Sequence, residues 1–328
     1  MAHELESLAN GQTAFASARL SAWHQLGTIT EACMTADEIM TKAFLGGWKV
    51  RKLALQGLEP TDTGVDVIEC PDKWMTVRTN IVTGVTEYLG VVGEDYTTVQ
   101  NEQVADVLDK LVDESGAHFE TAGSMRGGKS VFVTMKLPTG MKIAGTDDLD
   151  LYLAATTSHD GTQALRVDAT PVRIVCANTQ RAAFAQTKGF YVFRHTSNVH
   201  SQISQAREAM GLMWKYLDAF QAEAEKMLNE TLTMGAFEKV TDELWPLTDD
   251  ATDQTKRNHR QRGAVLRYLI RDADTQAAIK GTRWAGYQAI TEYVDHYAPA
   301  KDASTRASRA VTGPIAELKT RAFELLSV

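Results

Sequence analysis

The chain has 328 residues, 44% hydrophobic and 23% charged, with a formal net charge of −8. That length supports one large or two ordinary domains with real cores, and the acidic balance argues against uniform, histone-like nucleic-acid binding. Cys33, Cys70 and Cys176 are scattered and show no CxxC spacing, which argues against a disulfide framework and a structural metal.

No apolar run reaches the roughly 18 residues needed to span a bilayer. The opening MAHELESLANGQ lacks a basic segment followed by an apolar one, so no membrane association and a cytoplasmic location are expected. The charge is unevenly distributed. Arg166 to Lys215 carries seven cations against two acids, Asp218 to Asp253 carries ten acids against two cations, and Lys256 to Arg283 carries eight cations against two acids. Such alternation can place positive patches on an acidic protein.

In chain order, TADEIMTKAFL predicts a short helix opened by a capping box of Thr35 and Glu38 and stopped before Gly46. WKVRKLAL, KWMTVRTN and VTEYLGVVG predict strands, the last two joined by a turn around Asn80 to Gly84. Val104, Val107, Leu108 and Leu111 at helical spacing predict an amphipathic helix from about Gln100 to Ser115.

GSMRGGKS, Gly123 to Ser130, matches the letters of a phosphate-binding P-loop. A P-loop must run into a helix whose N-terminal amides hold phosphate. Here VFVTMKLP follows, with strand formers and a closing Pro138, so the glycines are expected to form the tip of a hairpin. Arg126 and Lys129 then sit on a flexible, protruding loop suited to a phosphate backbone.

LYLAATTS and TQALRVDA predict two strands joined at Asp160-Gly161, with VRIVC continuing extended after Pro171. Ser158, His159 and Asp160 are consecutive, and neighbours in a strand face opposite ways, so no catalytic triad is expected there. Cys176 in RIVCA reads as a packing residue rather than a nucleophile paired with His159. Asn178 or Thr179 caps an expected helix running to Gln186, with Arg173 before it and Arg181 in its first turn. With Arg166 and the hairpin cations these residues compose a candidate backbone-binding groove: Arg126, Lys129, Arg166, Arg173, Asn178 and Arg181.

From about Asn198 onward the pattern is helical. Ile203, Ala206, Met210, Met213, Leu217 and Phe220 form an apolar stripe; MGAFEKVTDELW, a basic segment through TKRNHRQRGAVLRYLI, RWAGYQAITEYVDHY and IAELKTRAFELL follow as further helices. The expected class is α+β, with a mixed domain over 1–195, mainly antiparallel sheet with flanking helices, and a helical domain over 196–328.

AWHQLGT, TAGSMRGGKSVFV, SHDGTQALRVDATPVRIVCANT, FRHTSNV and RWAGYQAITEYVDH, in this order, resemble a phage/plasmid-like family of unknown function found in bacteriophages, plasmids and actinobacterial genomes. The resemblance implies a protein of a mobile element working in a bacterial cytoplasm, with no established activity to carry over. In architecture, a twisted antiparallel sheet with a basic hairpin and a following helix is similar to the core of phage single-strand annealing proteins. That similarity implies single-stranded DNA held by its backbone, self-assembly, and a role in recombination or replication without enzymatic activity, cofactor or metal. The alternative expectation is an interaction protein whose helical half binds a host or phage protein.

Overall fold

The computed structural model describes residues 5–18, 27–30, 32, 34–111, 118–173, 190–193, 202–299 and 314–327. The protein is α+β, with sheets first and helices after. An eight-stranded sheet contains β1 (Phe15–Ser17), β2 (Thr28–Ile29), β6 (His118–Met125), β7 (Ser130–Lys136), β8 (Met141–Ile143), β9 (Asp147–Ser158), β10 (Leu165–Arg173) and β11 (Phe190–Phe193). Its order is β11-β10-β9-β7-β6-β1-β2, with β8 also on β9, and every pairing except β1 with β2 is antiparallel.

The two-residue period of these strands sorts their side chains to opposite faces. Val131, Val133, Met135, Leu151, Leu153, Ala155, Val167 and Ala169 are buried on one face. The other face carries Phe132, which joins Leu5, Phe15 and Met125 in a small apolar cluster, and a polar band of Thr134, Lys136, Asp150, Thr156, Arg166 and Asp168. In that band Lys136 bonds Asp150 at 2.7 Å.

A separate three-stranded sheet, β3 (Arg51–Thr61), β4 (Gly64–Thr79) and β5 (Thr86–Gly93), is antiparallel throughout. The expected β4–β5 turn forms because Asn80 Oδ1 accepts the amides of Val82 and Thr83, while Gly84 takes φ +71°. The Thr35–Glu38 capping box opens α1 (Ala36–Lys42) as expected. Hydrogen bonds from Thr35, backbone first, hold the Glu38 carboxyl below its ordinary value. α2 (Asn101–Leu111) buries Val104, Val107 and Leu108.

The helical half comprises α3 (Gln202–Asn229), α4 (Met234–Leu244), α5 (Asp253–Arg271), α6 (Arg283–Glu292) and α7 (Pro314–Ser327). Of the expected α3 stripe, Leu217 and Phe220 are buried; the side chains of Ile203, Ala206, Met210 and Met213 lie outside the described set. α6 is buried along its length and continues as a π-helical turn, Tyr293–Tyr297. A polar α6 interior is tolerated because its groups are bonded: Trp284 Nε1 donates to Asp147 Oδ2 at 2.8 Å. Phe220 stacks on Phe323 and meets Trp284 edge-on.

One apolar cluster runs from Ala16 to Leu326, so the sheet and the helices share a core. α3 packs on β8, β10 and β11. Among the described residues no helix is long and apolar enough to cross a membrane.

The structure differs from the sequence reading in extents. β9 starts at Asp147 rather than Leu151, and β10 runs through Pro171 to Arg173 as one strand. β3 and β4 extend well past WKVRKLAL and KWMTVRTN, to a tight turn at Asp62 and Thr63, where VDVIE, rich in β-branched residues, pairs with Gln56 to Pro60.

Candidate nucleic-acid interface

GSMRGGKS is a strand, a four-residue tip and a strand: Met125 pairs with Ser130, and Arg126, Gly127 and Gly128 turn the chain at φ of +55°, +65° and +86°. It is not a protruding tip, as the sequence suggested. A Cβ on Gly128 would come within 2.4 Å of Arg78 Nη1, so the glycine is what lets the hairpin close on β4. The Lys129 carbonyl accepts the His159 amide at 2.8 Å.

The surroundings are a polar clasp between the two sheets. Arg78 donates to both oxygens of Glu6 and to Glu87 Oε2 at 2.8 and 3.0 Å, and its guanidinium lies 4.2 Å from the Trp48 ring centre. Trp48 in turn faces His159, whose Nε2 is 2.9 Å from Asn101 Oδ1. Burial pushes the Glu87 carboxyl up, but hydrogen bonds from Asn80 and Arg78 outweigh it and hold the group low. Tyr96 donates to the Ser158 carbonyl at 3.0 Å, and burial, with the Asp160 charge nearby, raises its phenol far above the ordinary value. Gly90 leaves room for the turn: a Cβ there would meet Asp160 Cα at 2.6 Å.

The hairpin cations are therefore engaged within the chain. Arg126 bonds Asp160 Oδ2 at 2.9 Å, and the Lys129 ammonium sits 5.5 Å from the Tyr88 ring centre. Burial works against the Asp160 charge, yet bonds from Thr162 and Ser158 and the Arg126 charge keep its carboxyl below the usual range. Arg166 forms a two-pronged contact with Asp168 at 2.7 and 2.8 Å and lies 3.7 Å over Phe190. Arg173 ends β10 opposite Leu149, with its side chain outside the described set; Asn178, Arg181 and Cys176 lie outside the described residues altogether. Ser158, His159 and Asp160 turn to different partners, Gln163, Asn101 and Arg126.

The basic segment in the helical half behaves differently. Thr252 caps α5 by accepting the Thr255 amide, and Leu266, Leu269 and Ile270 anchor one side. At 3.6 residues per turn, Lys256, Arg257, Arg260, Arg267 and Arg271 fall within an arc of roughly 100° on the opposite side. Arg257, Arg260, Arg267 and Arg271 are exposed, and Tyr268, 51% exposed, lies at the edge of the same arc. Arg267 touches Glu238 at 3.3 Å and Arg271 touches Asp272 at 3.0 Å, exposed pairs that hold little. Among the described residues Arg257 and Arg260 make no ion pair. Arg262 points away, over Trp245, and burial lowers its guanidinium value.

Charge counting had marked this segment without making it a site. The signal that would have found it is the spacing of the cations at 256, 257, 260, 267 and 271, which places them on one helix face. Among the described residues no group of His, Cys, Asp and Glu is arranged to hold a metal ion.

No curated protein and no solved structure matches the chain. A family match spans residues 88–312, from the third residue of β5 to just before α7, and so takes in the hairpin and α5, while Glu6, Trp48, Arg78 and Glu87 of the clasp precede it. The chain belongs to the family described as a domain of unknown function, DUF932.

Proposed function

We propose that the protein is a nucleic-acid-binding accessory protein of a phage or related mobile element. It acts without catalysis or cofactor in the bacterial cytoplasm and holds single-stranded DNA during recombination or replication. The observation that carries this reading is the exposed cationic stripe of α5. Its cations span about 20 Å of helix at 1.5 Å per residue, enough for several phosphates. An exposed Tyr268 beside them offers a face on which a base can stack, the combination that single-strand binding uses.

The sheet residues contribute less to this reading than the sequence suggested. Arg126 and Arg166 each face a carboxylate, so phosphate would have to displace Asp160 or Asp168. The interface we favour is therefore α5, with the hairpin cations at most secondary. The phage or mobile-element setting rests on the sequence resemblance alone.

Fluorescence anisotropy of a labelled single-stranded oligonucleotide, titrated at several salt concentrations, tests it. Affinity should fall log-linearly with salt, with a slope of about −0.7 per phosphate contact. Arg257→Glu with Arg260→Glu should weaken binding more than tenfold, and Arg126→Glu should weaken it far less. Absence of binding by the wild type at low salt would overturn the reading.

A second reading, in which the helical half binds a host or phage protein, is favoured by Trp214, 38% exposed on α3. Co-purification that survives nuclease treatment and is lost in Trp214→Ser would select it.

A further inference from the structure

The third strand of the small sheet stops short: β5 pairs with β4 only from Lys73 to Thr79. Beyond it β3 and β4 continue as a two-stranded ribbon, Leu55 to Cys70, closed by the turn at Asp62 and Thr63. At about 3.3 Å per residue the ribbon overhangs by roughly 20 Å. Two-stranded ribbons are marginal alone in water, and open strand edges invite pairing. Leu58, Val65, Val67 and Ile68 are 70, 57, 55 and 51% exposed on it.

Its charge is one-sided. Glu59, Asp62, Asp66, Glu69 and Asp72 are all exposed, and no Lys or Arg occurs between Lys52 and Lys73. Glu59 and Asp66 are direct cross-strand partners, on the same face as Ile68. Like charges placed opposite each other destabilise a sheet, and here the chain supplies no cation from the ribbon to relieve them. The relieving charge must come from another surface, and arm against arm would only gather more carboxylates.

We propose that the ribbon is an assembly arm that docks on α5 of a second copy of this chain. The exposed cations of α5 are opposite in sign to the arm and match it in length, both about 20 Å. Arg257, Arg260 and Arg267 face Glu59 and Asp66 across the contact, and Ile68 packs against Ala264 and Tyr268. Each copy has one arm and one helix, so the contact either closes as a reciprocal two-fold pair, each arm on the other copy's helix, or runs head-to-tail into rings or open chains. The inference goes beyond the nucleic-acid reading and stands without it; where both hold, the arm and the DNA backbone compete for one stripe.

The test is sedimentation velocity of the full chain at low and high salt, with circular dichroism to show that every variant is folded. The wild type should sediment as species larger than one chain at low salt and as single chains at high salt. Glu59→Lys with Asp66→Lys should be monomeric, as should Arg257→Glu with Arg260→Glu. An equimolar mixture of these two variants should regain self-association, because the intact arm of one meets the intact helix of the other and the reversed arm meets the reversed helix. A protein carrying all four substitutions should regain self-association.

A wild type that is monomeric at low salt overturns the proposal, as does an oligomer that persists in the arm variant, or a mixture that fails to pair. A monomeric wild type whose arm binds a basic peptide also overturns it, and assigns the arm to a different protein. Loss of DNA binding in the helix variant while the wild type stays monomeric removes this inference and leaves the nucleic-acid reading standing.

Discussion

The hairpin tip and α5 carry similar positive charge in sequence and opposite roles in space. At the tip, Arg126 meets Asp160, thirty-four residues away, and Arg78 is enclosed by Glu6 and Glu87. Arg126 thus ties the hairpin to the β9–β10 turn of its own sheet, and Arg78 ties the small sheet to Glu6. On α5, the residues that would neutralise the stripe are few and exposed, so the charge is offered outward. The difference teaches that a cation counts as a site only after its long-range carboxylates have been placed.

The largest expected effect breaks the clasp at its centre. Arg78→Met leaves Glu6 buried without its counter-charge, and urea denaturation should show a loss of about 3–5 kcal/mol. Gly128→Ala comes next, at about 2 kcal/mol, because the new methyl group meets the Arg78 guanidinium and the backbone holds φ +86°. Gly127→Ala, with open space around it and φ +65°, should cost about 1 kcal/mol. If the two glycine variants are equally stable, the hairpin is not packed on β4 as described.

Asp160→Asn should cost about 1 kcal/mol at neutral pH through the weakened bonds to Arg126 and Thr162. The folded chain holds this carboxyl low. Its contribution is therefore complete above the unfolded value near 4 and is lost as pH falls through the lower folded value. The acid limb of a stability–pH profile should accordingly be shallower in the variant. The smallest effect belongs to α5: Arg257→Glu with Arg260→Glu should change stability by less than about 0.5 kcal/mol while removing the salt-dependent binding described above. A large loss of stability there would show that the stripe serves the fold.

Much of the architecture is legible in local patterns. Thr35 and Glu38 state a helix start, Asn80 to Gly84 states a turn, and VFVTMKLP states that GSMRGGKS ends in a strand, because each depends on residues within a few positions. The helical half is equally local, in its apolar periods and in its caps at Thr233, Thr252 and Thr282. β1, β2, β8 and β11 were not legible: two to four residues cannot display a period, and their pairing partners supply the reason they exist.

The candidate site divides in the same way. From sequence alone come the α+β class, the hairpin in place of a P-loop, and the positions of the cations. Only tertiary structure decided which cations are spent, since Asp160 reaches Arg126 across a strand pair and Gly128 yields its space to Arg78 from a different sheet. It alone decided, too, that β3 and β4 outrun their neighbour and leave an acidic arm exposed. The physical reason is range: capping, turns and periodicity act within about one turn of chain, whereas charge neutralisation and strand coverage are settled by whatever the fold brings alongside.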